Sequence, residues 1–311
     1  MEKIINLKMI KDLNIDRNKE ELVQKGYSIL ENRLSPEILK SAREAYNKIY
    51  QSSINGDYNY VRVYDDYSNT KNIAGIESPF NKKILSQEII DFIEDSKIIE
   101  IAQNIIQDEV VLELSRYHLT NKFSHIGIWH RDEDVHQTKY ETLQLNIHLF
   151  DEMGVQVIDG SHQSRDEDVD FLLKKNPYST LKNSRWLKVS AGDILVFDPS
   201  LLHRGISAKP RANMHFRFRK KNNKKYSLQH YDYLDNYKMS DRLKHQVLYN
   251  LNYVKLPEPY NHPKSIKYNF LRLLRRFIHN FIIFLPLNSK VYSFFLAWPN
   301  LTLRKFFKIE I

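Results

Sequence analysis

Cysteine is absent from the 311-residue sequence, which excludes disulfides, zinc–thiolate sites, iron–sulfur clusters and a cysteine nucleophile. Any metal has to be held by histidine and carboxylate. Glycine and proline are scarce, 8 and 10 residues, while 42% of the chain is hydrophobic, so disordered and low-complexity classes are excluded and a folded core is expected. Long apolar runs are missing too. The longest, 281–287, contains Pro286 and is too short to span a bilayer. Residues 1–16 carry charges throughout and lack the apolar run and cleavage site of a signal peptide, so a cytoplasmic location is expected.

What is present changes character along the chain. Gly26-Tyr27-Ser28-Ile29-Leu30 reads as a short strand, and Ser35-Pro36 opens a helix with apolar positions at Leu39, Ala42, Ala45, Tyr46 and Ile49. Residues 56–80, polar and tyrosine-rich, read as a long loop; residues 86–107 carry isoleucines at helical spacing. The period then switches to two in 110–117 and 142–150, where Leu143, Leu145, Ile147 and Leu149 alternate with polar residues. Further short strands are expected at 155–158, 201–206 and 212–218, and 186–189 and 193–197 flank Ser190-Ala191-Gly192 as a hairpin. Many short strands with brief turns point to an antiparallel barrel or sandwich. The basic break Lys221-Asn222-Asn223-Lys224-Lys225 divides an expected domain at 1–225 from a basic, aromatic, mostly helical extension at 226–311.

The chemistry is carried by histidine and aspartate. His130-Arg131-Asp132 puts two ligand types two residues apart, on one side of an extended segment. Two histidines and a carboxylate on one face leave open positions on non-haem Fe(II). With 12 histidines and 38 acidic residues, roughly one or two such triplets arise by chance, and a second, His230-Tyr231-Asp232, does occur. Only the first is followed by alternating strands, Gly192-Asp193-Ile194-Leu195-Val196-Phe197 and a third histidine, His203; the second reads as a surface pair.

In these residues, with Leu34-Ser35-Pro36-Glu37, Trp129, Asp159-Gly160-Ser161-His162 and Pro210-Arg211-Ala212-Asn213, the chain resembles the phytanoyl-CoA dioxygenase-like family of Fe(II)/2-oxoglutarate oxygenases, which includes ectoine hydroxylase, over roughly residues 22–220. The resemblance implies a mainly β fold with flanking helices, a double-stranded β-helix (jelly-roll, cupin-like) with helical additions at both ends. It implies Fe(II) on His130, Asp132 and His203, with O2 as co-substrate and Arg211 anchoring the distal carboxylate of 2-oxoglutarate. The interval from His203 to Arg211 is shorter than the family's, which keeps Arg217, on the same face of a regular strand, as the second candidate. Asp159 stands where the family's turn usually carries proline. Asp132 favours hydroxylation, since related halogenases lose the carboxylate there.

Other residues leave alternatives open. Gln144 and Asn146 face either the cofactor or, as polar residues on a half-buried strand, solvent. Ser161 and His162 read as structural or rim residues; Arg131 and Arg204 are either solvated at the rim or receive an anionic substrate. The basic, aromatic segment 266–311 either docks on an anionic membrane or covers the barrel. The substrate class stays open between small molecule, lipid and lipid-linked glycan, with no obligate protein partner and no nucleic acid expected, because no nucleic-acid-binding module accompanies the net charge of +9. A zinc-type hydrolase and a non-catalytic cupin-like binding protein are the competing readings.

Overall fold

The computed structural model describes residues 15–54, 61–65, 72–77, 79–120, 128–135, 140–177, 179–205, 211–222 and 227–253. Along the chain lie α1 (Ile15–Lys25), β1 (Tyr27–Leu30), α2 (Pro36–Ile54), β2 (Val61–Asp65), β3 (Asn72–Glu77), α3 (Gln87–Ser96), α4 (Ile98–Ile106), β4 (Val110–Thr120), β5 (Thr142–His148) and β6 (Glu152–Ile158). They are followed by α5 (Glu167–Lys175), β7 (Ser184–Val189), β8 (Ile194–Phe197), β9 (His203–Gly205), β10 (Arg211–Lys220), a 3-10 turn (Asp232–Asn236) and α6 (Asp241–Tyr253). The strands form two antiparallel sheets, a larger one in the order β1-β8-β5-β10-β4-β3-β2 and a smaller one in the order β7-β6-β9.

Alternation along the strands divides the apolar residues between two cores. Leu143, Leu145 and Ile147 of β5, Ile194 and Val196 of β8, and Met214, Phe216 and Phe218 of β10 point outward and are covered by the apolar faces of α2, α3 and α4. Leu195 and Phe197 of β8 point the other way, into a second core with Val155 and Val157 of β6 and Leu187 and Val189 of β7. The two sheets therefore pack face to face, as the jelly-roll expectation requires, with helices on one outer face. Ser35 caps α2 as expected, its Oγ accepting from the Ile38 N–H at 3.3 Å. Leu234, Leu243 and Val247 belong to the outer core, and Gln246 on α6 bonds the backbone N–H of Leu112 through Oε1 (2.7 Å) and the Val110 carbonyl through Nε2 (2.9 Å). Residues 232–253 thus pack into the same body as the sheets.

Three expectations are corrected. The stretch 86–107 is two helices, because Lys97 adopts φ 55° and its N–H turns back to Glu94 O. The stretch 56–80 contains β2 and β3 at the edge of the large sheet; their pairing slips register twice, so no clean two-residue period marks them. Strands β7 and β8 are not a hairpin, since they lie in different sheets. Gly192 does turn the chain, at φ +89°, but the Asp193 carboxylate accepts from Ser190 N (2.9 Å) and Asn32 N (2.8 Å). Those bonds hold the turn as a crossover between layers.

Candidate functional site

His130 and His203 face each other across an isolated antiparallel bridge. Each backbone N–H donates to the other's carbonyl, at 2.9 and 3.0 Å, which brings the ring centroids to 4.4 Å. Asp132 follows on a turn whose N–H donates to Pro199 O at 2.8 Å. Both imidazoles are oriented the same way: His130 Nδ1 lies 2.8 Å from Ile128 O and His203 Nδ1 lies 2.8 Å from Leu201 O. A carbonyl accepts only, so each Nδ1 carries the proton and each Nε2 presents a lone pair. Ligand atoms of His130, Asp132 and His203 all lie within 4.8 Å of one another.

The surroundings favour this protonation state. Burial, then the neighbouring His130, pushes the His203 imidazole down to about 4, so it is neutral at ordinary pH. Burial opposes ionisation of Asp132, yet His203, Arg217 and His130 together hold its carboxyl below the ordinary value. Arg217 Nη2 lies 2.6 Å from Asp132 Oδ2 and donates to Gln144 Oε1 at 2.9 Å, while its buried Nε has no partner among the described residues.

The triad opens into a cavity of about 110 Å³ between the sheets, walled by Leu114, Val155 and Phe197 on its apolar side and by Arg116, His118, His215 and Arg217 on its polar side. Among the described lining residues Asp132 is the one acid. Gln144 and Asn146 also line it and are only 4% and 2% exposed. Of the two alternatives for these residues, solvent is ruled out, because the small sheet covers that face of β5.

Sequence reasoning missed Arg116, His118 and His215. Their side of the sheet depends on a bulge in β4, where Arg217 pairs with Leu114 and Phe218 with Leu112, leaving Glu113 unpaired. A bulge re-aims the strand beyond it, so Leu114, Arg116 and His118 face the cavity although Val110 and Leu112 face the helices. Period-two alternation back from Arg217 was the available signal for His215.

The remaining singled-out residues take structural places. Arg204, 3% exposed, stacks over Trp129 at 4.7 Å and donates to Gln156 Oε1 at 2.8 Å, so it is not a solvated rim residue. Arg131 donates to the carbonyls of Ser161 and Ser200. Ser161 Oγ joins two loops, donating to Ile158 O and accepting from Leu202 N. His162 packs on Gly26, where an added Cβ would meet its Nδ1 at 2.6 Å. His230 pairs with Asp235 at the surface, at 2.9 Å. Arg211 opens β10 opposite Thr120, six residues from Arg217, which is about 20 Å along an extended strand.

Known proteins share this architecture. AviO1 from Streptomyces viridochromogenes superposes with a TM-score of 0.55 at 16% identity, over 69% of this chain and 99% of its own. EvdMO1 gives 0.56 at 16%, over 67% of this chain and 50% of its own, so the chain spans half of that protein. EctD from S. alaskensis, solved with 2-oxoglutarate and 5-hydroxyectoine, gives 0.51 at 19%, over 66% of this chain and 75% of its own. At these identities the likeness shows the fold. No curated protein matches the sequence. Residues 22–212, more than half of the chain, match the family profile described as phytanoyl-CoA dioxygenase (PhyH), and the chain belongs to that family.

Proposed function

We propose that the chain is an Fe(II)- and 2-oxoglutarate-dependent oxygenase that holds iron through His130, Asp132 and His203. The observation that carries this reading is the convergence of two Nε2 lone pairs, each freed by an Nδ1–H bond to a carbonyl, on one carboxylate. That donor set leaves open positions on non-haem Fe(II). The relative EctD is known with bound Fe and with 2-oxoglutarate, which supports the same pair of cofactors here.

The residues fit 2-oxoglutarate as well. The Arg217 side chain is 14% exposed and its Nε has no partner among the described residues, so it offers a charged N–H donor to a carboxylate in the cavity. We assign the anchoring of the 2-oxoglutarate carboxylate to Arg217, with Gln144 and Asn146 beside it, and keep Arg211 as the alternative. When bound, iron with 2-oxoglutarate and O2 would supply the oxidant, 2-oxoglutarate being decarboxylated to succinate and CO2 with one oxygen atom entering succinate and the other available to the substrate. The protein's own part is orientation and dryness: Ile128 O and Leu201 O aim the imidazoles, Arg217 holds the outer oxygen of Asp132, and Leu114, Val155 and Phe197 keep water from the cavity.

The reaction we propose is hydroxylation of an unactivated C–H bond in a small-molecule, lipid or lipid-linked glycan substrate. The basic segment 266–311 lies outside the described residues; for a lipid-borne substrate it is the docking element, and equal flotation with anionic vesicles of chains with and without it would refute that. No helix among the described residues is long and apolar enough to cross a membrane. Turnover tests the enzyme reading: the Fe(II)-loaded chain converts 2-oxoglutarate to succinate only when O2 is present, and His203→Ala does not. Activity indifferent to O2 and 2-oxoglutarate would point instead to a hydrolytic metal site.

A further inference from the structure

Asp132 and Glu133 are neighbouring carboxylates, and each is held by a different arginine of β10. Arg217 Nη2 lies 2.6 Å from Asp132 Oδ2, and two residues on, Arg219 Nη2 lies 2.6 Å from Glu133 Oε1. Arg219 is itself gripped by Glu113 in a two-point contact, Nε to Oε1 at 3.0 Å and Nη2 to Oε2 at 3.2 Å. Glu113 is the residue left unpaired by the β4 bulge. One irregularity in β4 therefore does two things: it aims Leu114, Arg116 and His118 into the cavity, and it supplies the carboxylate that holds Arg219.

The geometry points to Glu113–Arg219–Glu133 as a positioning clamp that sets the turn carrying Asp132, and through that turn the place of the Asp132 carboxylate in the metal site. The inference rests on the oxygenase reading only in taking His130, Asp132 and His203 as the ligands. The turn is tied on its other side by Pro199, whose carbonyl accepts from Asp132 N at 2.8 Å and Glu133 N at 3.2 Å. Backbone bonds to Pro199 fix one edge of the turn; the side-chain pair Glu133–Arg219 fixes the opposite edge against the large sheet. The Glu133 side chain is 12% exposed, so removing either member of the Glu133–Arg219 pair releases that edge of the turn from the large sheet. A turn free on that edge no longer fixes the place of the Asp132 carboxylate, which the turn carries one residue before Glu133. Outer partners of metal ligands typically govern affinity by 10- to 100-fold.

The test is a titration of the full-length, metal-free chain with Co(II) alone, followed by its visible d–d absorption, with thermal midpoints of the same metal-free proteins measured alongside. Arg219→Ala and Glu133→Gln are each expected to weaken Co(II) binding by about tenfold. Their combination should be no worse than the weaker single variant, because both break one link. Glu113→Gln, which disturbs a more exposed contact, should weaken binding by about threefold. Unchanged Co(II) affinity with a lowered midpoint would make the three residues merely structural and overturn the clamp. Should Arg219→Ala not fold, Glu133→Gln carries the same test, since it keeps the side chain's shape and removes only the charge. A wild-type chain that does not bind Co(II), or His130→Ala binding as tightly as wild type, would overturn the metal centre and the clamp with it; an intact centre with indifferent clamp variants would overturn the clamp alone.

Discussion

The two faces of the large sheet are built from the same strands and do opposite work. On β5, Leu143, Leu145 and Ile147 enter the helix-covered core while Gln144 and Asn146 enter the cavity; on β10, Met214 and Phe216 take the first side and His215 and Arg217 the second. Both faces are shielded, one by helices and one by the small sheet, so burial alone does not separate them. What separates them is whether the buried atoms need partners. Apolar side chains are satisfied by packing, whereas a buried amide, imidazole or guanidinium needs a hydrogen bond or a ligand. The outer face therefore carries stability and the inner face carries chemistry, and substitutions one residue apart should have different consequences.

The sharpest contrast is at neighbouring positions of β10. Phe216→Ala should cost about 3–5 kcal/mol of folding stability, since the ring is fully buried; chemical denaturation measures this, and the folded fraction should bind metal as wild type does. Arg217→Ala should cost less stability than Phe216→Ala, through its lost bond to the Asp132 carboxylate, while weakening 2-oxoglutarate by roughly tenfold to hundredfold, the worth of a charged hydrogen bond of about 1.5–3 kcal/mol. Calorimetry with Arg211→Ala in parallel identifies the anchor. A collapse of stability in Arg217→Ala would erase the distinction between the faces.

A smaller effect is expected on β5. Asn146→Leu should alter stability by less than about 1 kcal/mol, because an apolar group of similar size is tolerated between two sheets, yet weaken 2-oxoglutarate binding by about threefold to tenfold. A further effect concerns pH. The His203 imidazole is depressed from 6.5 to about 4 by burial, so its unfolded form binds the proton more readily. Its contribution is fully present above 6.5 and is lost as pH falls through about 4. Thermal midpoints of the metal-free protein should therefore decline between those values, and His203→Gln should flatten that part of the profile.

The same contrast explains what the sequence disclosed. The outer face was legible because alternating leucine and isoleucine mark a buried side directly. His130, Asp132 and His203 were legible because a local triplet and a downstream histidine carry the chemistry in residue type. The inner face was only half legible: Gln144 and Asn146 stand out as polar residues on β5, but whether they meet water or a cavity is decided by β6, a strand distant in pairing from β5. Arg116 and His118 were hidden because Glu113, the bulged residue, looks like any other residue of an alternating strand. Gly192 announced a turn without saying that it crosses between sheets, which is set by Asp193 reaching Asn32 across 161 positions.

The most direct test of the metal centre is anaerobic titration of Fe(II)-loaded protein with 2-oxoglutarate, watching for the visible charge-transfer band of the chelate. The account predicts a band in the wild type, none in His130→Ala, and a band that needs far more 2-oxoglutarate in Arg217→Ala. Stoichiometric metal binding without any band, or a band that survives His130→Ala, would contradict it.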